Sequence, residues 1–530
     1  MAELNPMILA DLFYGRAQSL PDFEILTFEG AGVREDEIRT YSDLWINSQK
    51  YAKGLLDRGM DTGDRFAIIL RNHPDFIEMM IAASTLGCVC VPIDPRTRGA
   101  KLAYTLNNSG CKGVLCADYC VDFMEEVRDQ VPSLEWVIML ETGEDGASVK
   151  ASDIKNCLSS SEILGMQDVE VARRLTDPNA PLEILYTSGT TGDPKGVTIS
   201  NARLASGALF GAGLQLKKGD KMYTGLSLTH GNAQSLTFFP AVGLDLQVVF
   251  SRKFTKSRLW DVTRKYGCTV FNLLGGMTTA IYSEPVKDND ADNPVRMVLS
   301  AGMPAVIWKR FEERFNLKVV ELYAAVDGYG LFMNSGDGPV GSFGKMPAGS
   351  EFKIVNEEGN EVPHGQMGEL IGRPLEGDVK VEYFENKEAS AKKTHGGWVR
   401  TGDICHRDEE GWFYFDYRKG GGIRHNGDFV HPGYVEQVLA EHPHIDDVFV
   451  YGVPAKSGAP GEKDVVAAIV VTVGFTPESV FELCRKELEA NFIPSYLQVV
   501  DEIPKTASEK PQERFLLDKF AEDAPGVYAV

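Results

Sequence analysis

Between about residue 60 and residue 325 the chain alternates two textures of apolar and polar positions. Short, continuously apolar runs such as Phe66-Ala67-Ile68-Ile69-Leu70, Cys88-Val89-Cys90-Val91-Pro92-Ile93 and Met297-Val298-Leu299-Ser300 predict strands buried on both faces. Between them lie helix-like stretches, Phe76 to Ile81 and a segment with Ile307, Phe311 and Phe315 at i, i+4 and i+8. Lys318 to Tyr323 then reads as another strand. Such alternation predicts an α/β fold with parallel or mixed sheets wrapped by helices, whose ligands sit at the carboxyl ends of strands. Ile184-Leu185-Tyr186 and Leu322-Tyr323 both run into polar or small loops at such ends.

From about 340 to 417 glycines punctuate short strands such as Glu369-Leu370-Ile371-Gly372 and Trp412-Phe413-Tyr414-Phe415, a β-rich subdomain. Lys419-Gly420-Gly421-Gly422 follows, then a stretch with its own helix–strand pattern. The expected organisation is a large N-terminal domain over 1–418, a glycine hinge at 419–422 with Gly420 as pivot, and a small, mobile α+β C-terminal domain over 423–530.

A chain of 530 residues, 43% hydrophobic, is long enough for more than one core. Its net charge of −22 disfavours nucleic acid and anionic membranes. Nine scattered cysteines without a CxxC pair suggest reduced, buried thiols. No basic segment precedes an apolar stretch at the start, and no apolar run reaches about 18 residues, so a soluble, cytoplasmic protein without stable membrane association is expected. A homodimer is left open.

Thr187-Ser188-Gly189-Thr190-Thr191-Gly192-Asp193-Pro194-Lys195-Gly196 stands directly behind a strand. Three glycines and four hydroxyls let backbone N–H groups turn toward an anion, and Lys195 adds a positive charge. Triphosphate is the expected ligand. A Walker A loop is excluded, because Gly-Lys-Ser/Thr does not follow at the required spacing. The ten residues resemble the phosphate-loop signature of the adenylate-forming superfamily, which includes acyl-CoA synthetases.

Four further blocks in the expected order strengthen that resemblance. Ser300-Ala301-Gly302-Met303-Pro304 is similar to the segment lying along the adenine, and Tyr323-Ala324-Ala325-Val326-Asp327 stands where the superfamily has Tyr-Gly-x-Thr-Glu. The resemblance implies that Tyr323 stacks on adenine and that Asp327 takes the Mg²⁺ role, with Val326 and Asp327 departing from the pattern. Gly397 to Asp403 resembles the block whose aspartate grips the ribose hydroxyls, here Asp403, and Arg418 would touch ribose or phosphate. Pro504 to Lys510 resembles the block of the catalytic lysine, making Lys510 that residue, with Glu509 in place of the usual glycine.

What the resemblance implies is an AMP-forming acid–CoA ligase using ATP, Mg²⁺ and coenzyme A. The acid would attack the α-phosphorus while Lys510 offsets the converging anions. Rotation about Gly420 would then bring Gly427 to line the pantetheine tunnel. Leu228 to Gln234 resembles the segment that shapes acyl and thiol access, and its His-x-x-x-Gln spacing is similar to crotonobetaine/carnitine–CoA ligases. His230, Gln234, Gly275, Gly276, Ala324 and Ala325 would face the acyl group, with room for a bulky or cyclic acid. His230 reads equally as a structural histidine. A ligase loading a carrier protein is the alternative within this class, and a nucleotide-binding pseudoenzyme the alternative outside it.

Overall fold

The computed structural model describes residues 4–32, 34–187, 194–328, 330–377, 379, 381–419, 422–425, 428–430, 432–456, 463–488, 490–506 and 509–530. These form two compact units, one of 1–255 with 261–272 and 382–391, the other of 256–260 with 273–381 and 392–530.

The first unit holds a sheet of seven strands in the order Cys157–Ser159, Trp136–Leu140, Gly113–Ala117, Arg65–Ile69, Val89–Pro92, Pro181–Thr187, Lys195–Ser200. All neighbours run parallel except the last two, which pair antiparallel around residues 188–193. Arg65–Ile69 and Gly113–Ala117 are apolar along their length because both sheet faces are covered. The helix Pro74–Leu86 is buried at every position. It starts with proline at its first turn, where a missing N–H is harmless, and stops at Gly87, whose φ of 76° ends the helix in the left-handed region. A second group of strands in this unit sets Glu24–Glu29 parallel to Gln247–Ser251, which is parallel to Lys221–Thr224.

In the second unit Met297–Ala301 runs parallel to Lys318–Tyr323, with the helix Ala305–Phe315 between them in sequence. Ile307, Trp308, Phe311 and Phe315 form its buried face. The β-rich part is an antiparallel sheet ordered Ser342–Lys345, Trp412–Arg418, Trp398–Arg407, Gly368–Pro374, Ser350–Val355. Phe332, Phe343, Phe352, Leu370 and Phe413 fill its core. The C-terminal part is a four-stranded sheet, Ile445–Pro454, Lys463–Val471, Tyr496–Val499 and Val527–Ala529, with the helices Pro432–Ala440 and Pro477–Glu487. The fold class is therefore mixed α/β, with a large N-terminal and a small C-terminal domain. Among the described residues no helix is long and apolar enough to cross a membrane.

Candidate active site

In each unit the candidate residues stand at strand ends. In the first, Thr187 and Lys195 face each other across the antiparallel pair, and the Thr187 hydroxyl donates to the Lys195 carbonyl over 3.3 Å. The Lys195 ammonium lies 5.4 Å from the centroid of the Tyr383 ring, a cation–π contact. Ser188, Gly189, Thr190, Thr191 and Gly192 lie outside the described residues, as do Gly420 and Gly427.

His230 is half-buried, and its Nδ1 accepts the Asn232 N–H at 3.2 Å. Gln234 is fully buried and donates 2.8 Å bonds to both Glu183 Oε1 and the Leu228 carbonyl. It thereby ties the segment carrying His230 to the strand Pro181–Thr187. Burial pushes the Glu183 carboxyl up to about 8, and the Gln234 bond opposes the rise.

In the second unit, Gly302 and Met303 follow the end of Met297–Ala301, Gly302 with a φ of 101°. Both of their N–H groups point at one carboxylate, Glu321, with Met303 N at 3.1 Å from Oε2. Burial raises the Glu321 carboxyl to about 7, against those backbone bonds. Two residues further along the same strand, the Tyr323 ring stacks on Phe343 with centroids 4.6 Å apart. Its hydroxyl donates to Asp403 Oδ2 over 2.6 Å. Asp403 is buried and lies opposite Arg418 in the sheet register, which brings Arg418 Nη1 within 3.1 Å of Oδ1.

Asp327 Oδ2 receives the Lys393 ammonium at 2.9 Å, with only 14% and 11% of the two side chains exposed. Lys510 is exposed as a residue, yet its ammonium is crowded enough that desolvation, with the like charge of Arg418 second, lowers its pKa. Asp403 and Asp327 oppose that shift, so Lys510 shares an electrostatic environment with both carboxylates. Its backbone is held by a tight hairpin in which Thr506 N–H donates to the Lys510 carbonyl at 2.8 Å.

Of the expected acyl-facing residues, Ala324 is exposed, and Ala325 lines a narrow cleft with Tyr323, Phe352, Val399 and Thr401. Gly275 opens the helix Gly275–Tyr282, with Gly276 next in it. A Cβ on Gly275 would stand 2.8 Å from the Gly302 carbonyl oxygen, so its smallness already serves the close approach of the two backbone segments. Sequence reasoning missed Glu183, Glu321, Lys393 and Tyr383. The two glutamates had a signal, being lone acids in apolar strands.

The sequence profile of AMP-binding enzymes matches residues 13–374, and that of the AMP-binding enzyme C-terminal domain matches residues 434–510. The chain belongs to the AMP-binding enzyme family. It is 28% identical over 490 residues to the medium/long-chain-fatty-acid–CoA ligase FadD17 of Mycobacterium marinum, covering 91% of this chain and 92% of that one. To the crotonobetaine/carnitine–CoA ligase of Salmonella typhi it is 27% identical over 505 residues, covering 92% and 95%. Its fold resembles that of the anthranilate CoA ligase AuaEII in complex with anthranoyl-AMP, with a TM-score of 0.83, 20% identity and 96% of each chain covered. It also resembles O-succinylbenzoate coenzyme A synthetase from Bacillus subtilis in complex with ATP and magnesium ion, with a TM-score of 0.77, 23% identity, and 96% and 99% covered. The activity is ATP-dependent ligation of a carboxylic acid to coenzyme A through an acyl-adenylate.

Proposed function

We propose that the chain activates an apolar, branched or ring-containing acid in preference to acetate, and that Tyr323, Asp403, Arg418 and Lys510 hold the nucleotide during the first half-reaction. The acid preference rests on the small residues Gly276, Ala324 and Ala325, and the observation carrying the nucleotide part of this reading is the cluster itself. An aromatic ring, a carboxylate bonded to it and a guanidinium in register stand in one electrostatic environment with a lysine of depressed pKa. A ring offers a stacking face to a base, a buried carboxylate accepts hydroxyl donors, and cations offset the charge that gathers as a carboxylate approaches the α-phosphorus.

Asp327 is the hard oxygen donor at the Mg²⁺ position. A Mg²⁺ that arrives on the triphosphate needs one such carboxylate from the protein. In this reading residues 419–422 are the hinge, 423–530 the lid, and Gly427 meets the pantetheine arm. Lys195 steadies the phosphates, while His230 and Ala324 border the acyl group. The working compartment is the cytoplasm, in keeping with nine cysteines that are all free.

Pyrophosphate release measured over a panel of acetate, branched short acids, benzoate-type acids and long-chain acids, with and without coenzyme A, tests the substrate class. Acetate as the best acid would overturn it. Lys510→Ala should lose acyl-adenylate formation by about 100-fold or more, as for other preorganised electrostatic groups, yet retain thioester formation from presynthesised acyl-AMP. Equal loss in both halves would remove Lys510 from its assigned role.

A further inference from the structure

Two aspartates of the second unit, Asp403 and Asp327, are each paired with a cation. Asp403 has Arg418 at 3.1 Å, an exposed guanidinium that remains open to a ligand. Asp327 has Lys393 at 2.9 Å, and there both partners are largely withdrawn from solvent. A withdrawn ammonium needs a countercharge, and a withdrawn carboxylate likewise, so the pair holds itself together more firmly than a surface pair would. Asp327 is also one methylene shorter than the glutamate that the superfamily pattern has at this position, and Val326 beside it brings no hydroxyl to share the work.

We propose that Lys393 is a positioning residue for MgATP: its ammonium holds the Asp327 carboxylate until the metal of the incoming nucleotide takes that carboxylate over. The inference rests on the reading of Asp327 as the Mg²⁺ ligand. A monovalent ammonium and a divalent ion compete for one carboxylate, so nucleotide binding includes the work of breaking a preformed ion pair. The pairing thus raises the metal concentration the enzyme needs and keeps the short aspartate oriented in the interval between turnovers.

The test is equilibrium binding of Mn²⁺ to the full chain in the presence of ATP, followed through the electron paramagnetic resonance signal of free Mn²⁺. Lys393→Met keeps the length of the side chain and removes its charge, and it should tighten Mn²⁺ binding about fivefold, the scale of one partly buried ion pair. Lys393→Arg should stay within about twofold of the parent. Asp327→Asn should weaken Mn²⁺ binding and erase the difference between Lys393 and Met at position 393. If Asp327→Asn weakens Mn²⁺ binding while Lys393→Met leaves it unchanged or weaker, the competition is overturned and Asp327 keeps its metal role. If Asp327→Asn has no effect on Mn²⁺ binding, the metal role itself fails and takes the proposal with it. Both position-393 variants are compared at matched folded fractions by circular dichroism, and Lys393→Gln, which also removes the charge, carries the comparison with the same expected tightening if the methionine variant does not fold.

Discussion

The Tyr323 hydroxyl donates to Asp403 Oδ2 over 2.6 Å, so the side chain assigned to the base and the one assigned to the ribose are bonded to each other. Desolvation, with the Asp403 charge second, moves the Tyr323 phenol far above its usual range, which keeps it a donor at every working pH. Tyr323→Phe removes that donor and leaves the ring. It should raise the KM for ATP about fivefold, the equivalent of one net hydrogen bond of about 1 kcal/mol, with kcat little changed. Steady-state pyrophosphate release at saturating acid checks this, and a kcat loss larger than the KM change would refute it.

Glu183, on the strand Pro181–Thr187, is expected to make stability depend on pH. Burial raises the Glu183 carboxyl from 4.5 to about 8. Because the folded value lies above the unfolded one, the contribution is fully present below about pH 4.5 and is lost as pH rises through about 8. Glu183→Gln keeps the shape and removes the ionisation. The variant should therefore gain on the parent between pH 5 and pH 9 by an amount on the order of 1–3 kcal/mol. Urea unfolding at pH 5, 7 and 9 reads the difference, and parallel stability profiles would show that Glu183 does not titrate in this range.

Much of this architecture was legible in the chain, for a physical reason. The strand Lys318–Tyr323 and the helix Ala305–Phe315 declare themselves because burial imposes a period on apolar residues, and period is a local property. Ion pairs are not local. Lys393 ends a helix in the run Lys392-Lys393, which reads as a solvated terminus, and nothing nearby announces Asp327 as its partner. Glu321 announces that a buried charge needs donors, but the donors prove to be the backbone N–H groups of Gly302 and Met303 on the neighbouring strand end. The contact of Phe384 N–H with the Gly196 carbonyl at 2.7 Å joins chain segments that no periodicity links.

Glu509 occupies a backbone conformation that suits glycine better. Its φ is 57°, and its N–H closes the turn onto the Thr506 carbonyl at 2.9 Å, one residue before Lys510. For a residue with a Cβ the left-handed region costs roughly 1 kcal/mol or more. Glu509→Gly removes that strain and adds backbone freedom to the unfolded chain, two effects of opposite sign. The net expectation is a change between zero and about 1 kcal/mol toward greater stability, with adenylation unimpaired. Thermal unfolding beside a pyrophosphate assay measures both, and a clear loss of stability would mean the glutamate side chain contributes contacts that outweigh the strain.

Gly275 gives the sharpest steric test of how the site is built. The Cβ of an alanine there would sit 2.8 Å from the Gly302 carbonyl oxygen, and the backbone of Gly302 has little room to move because Glu321 anchors its N–H. Something must shift, at the usual overpacking scale of about 1–3 kcal/mol. If Gly275 were small only to leave space for the acid, Gly275→Ala would change the ranking of long against short acids and spare ATP. The geometry predicts the reverse: the KM for ATP rises while the ratio of kcat/KM for a ring-containing acid over acetate stays within about twofold. Measuring both quantities on the one variant separates the two. A changed acid ratio with an unchanged ATP KM would return Gly275 to the acyl wall, and the Gly302–Met303 segment would then have to owe its position to the Glu321 carboxylate rather than to the close approach of two glycines.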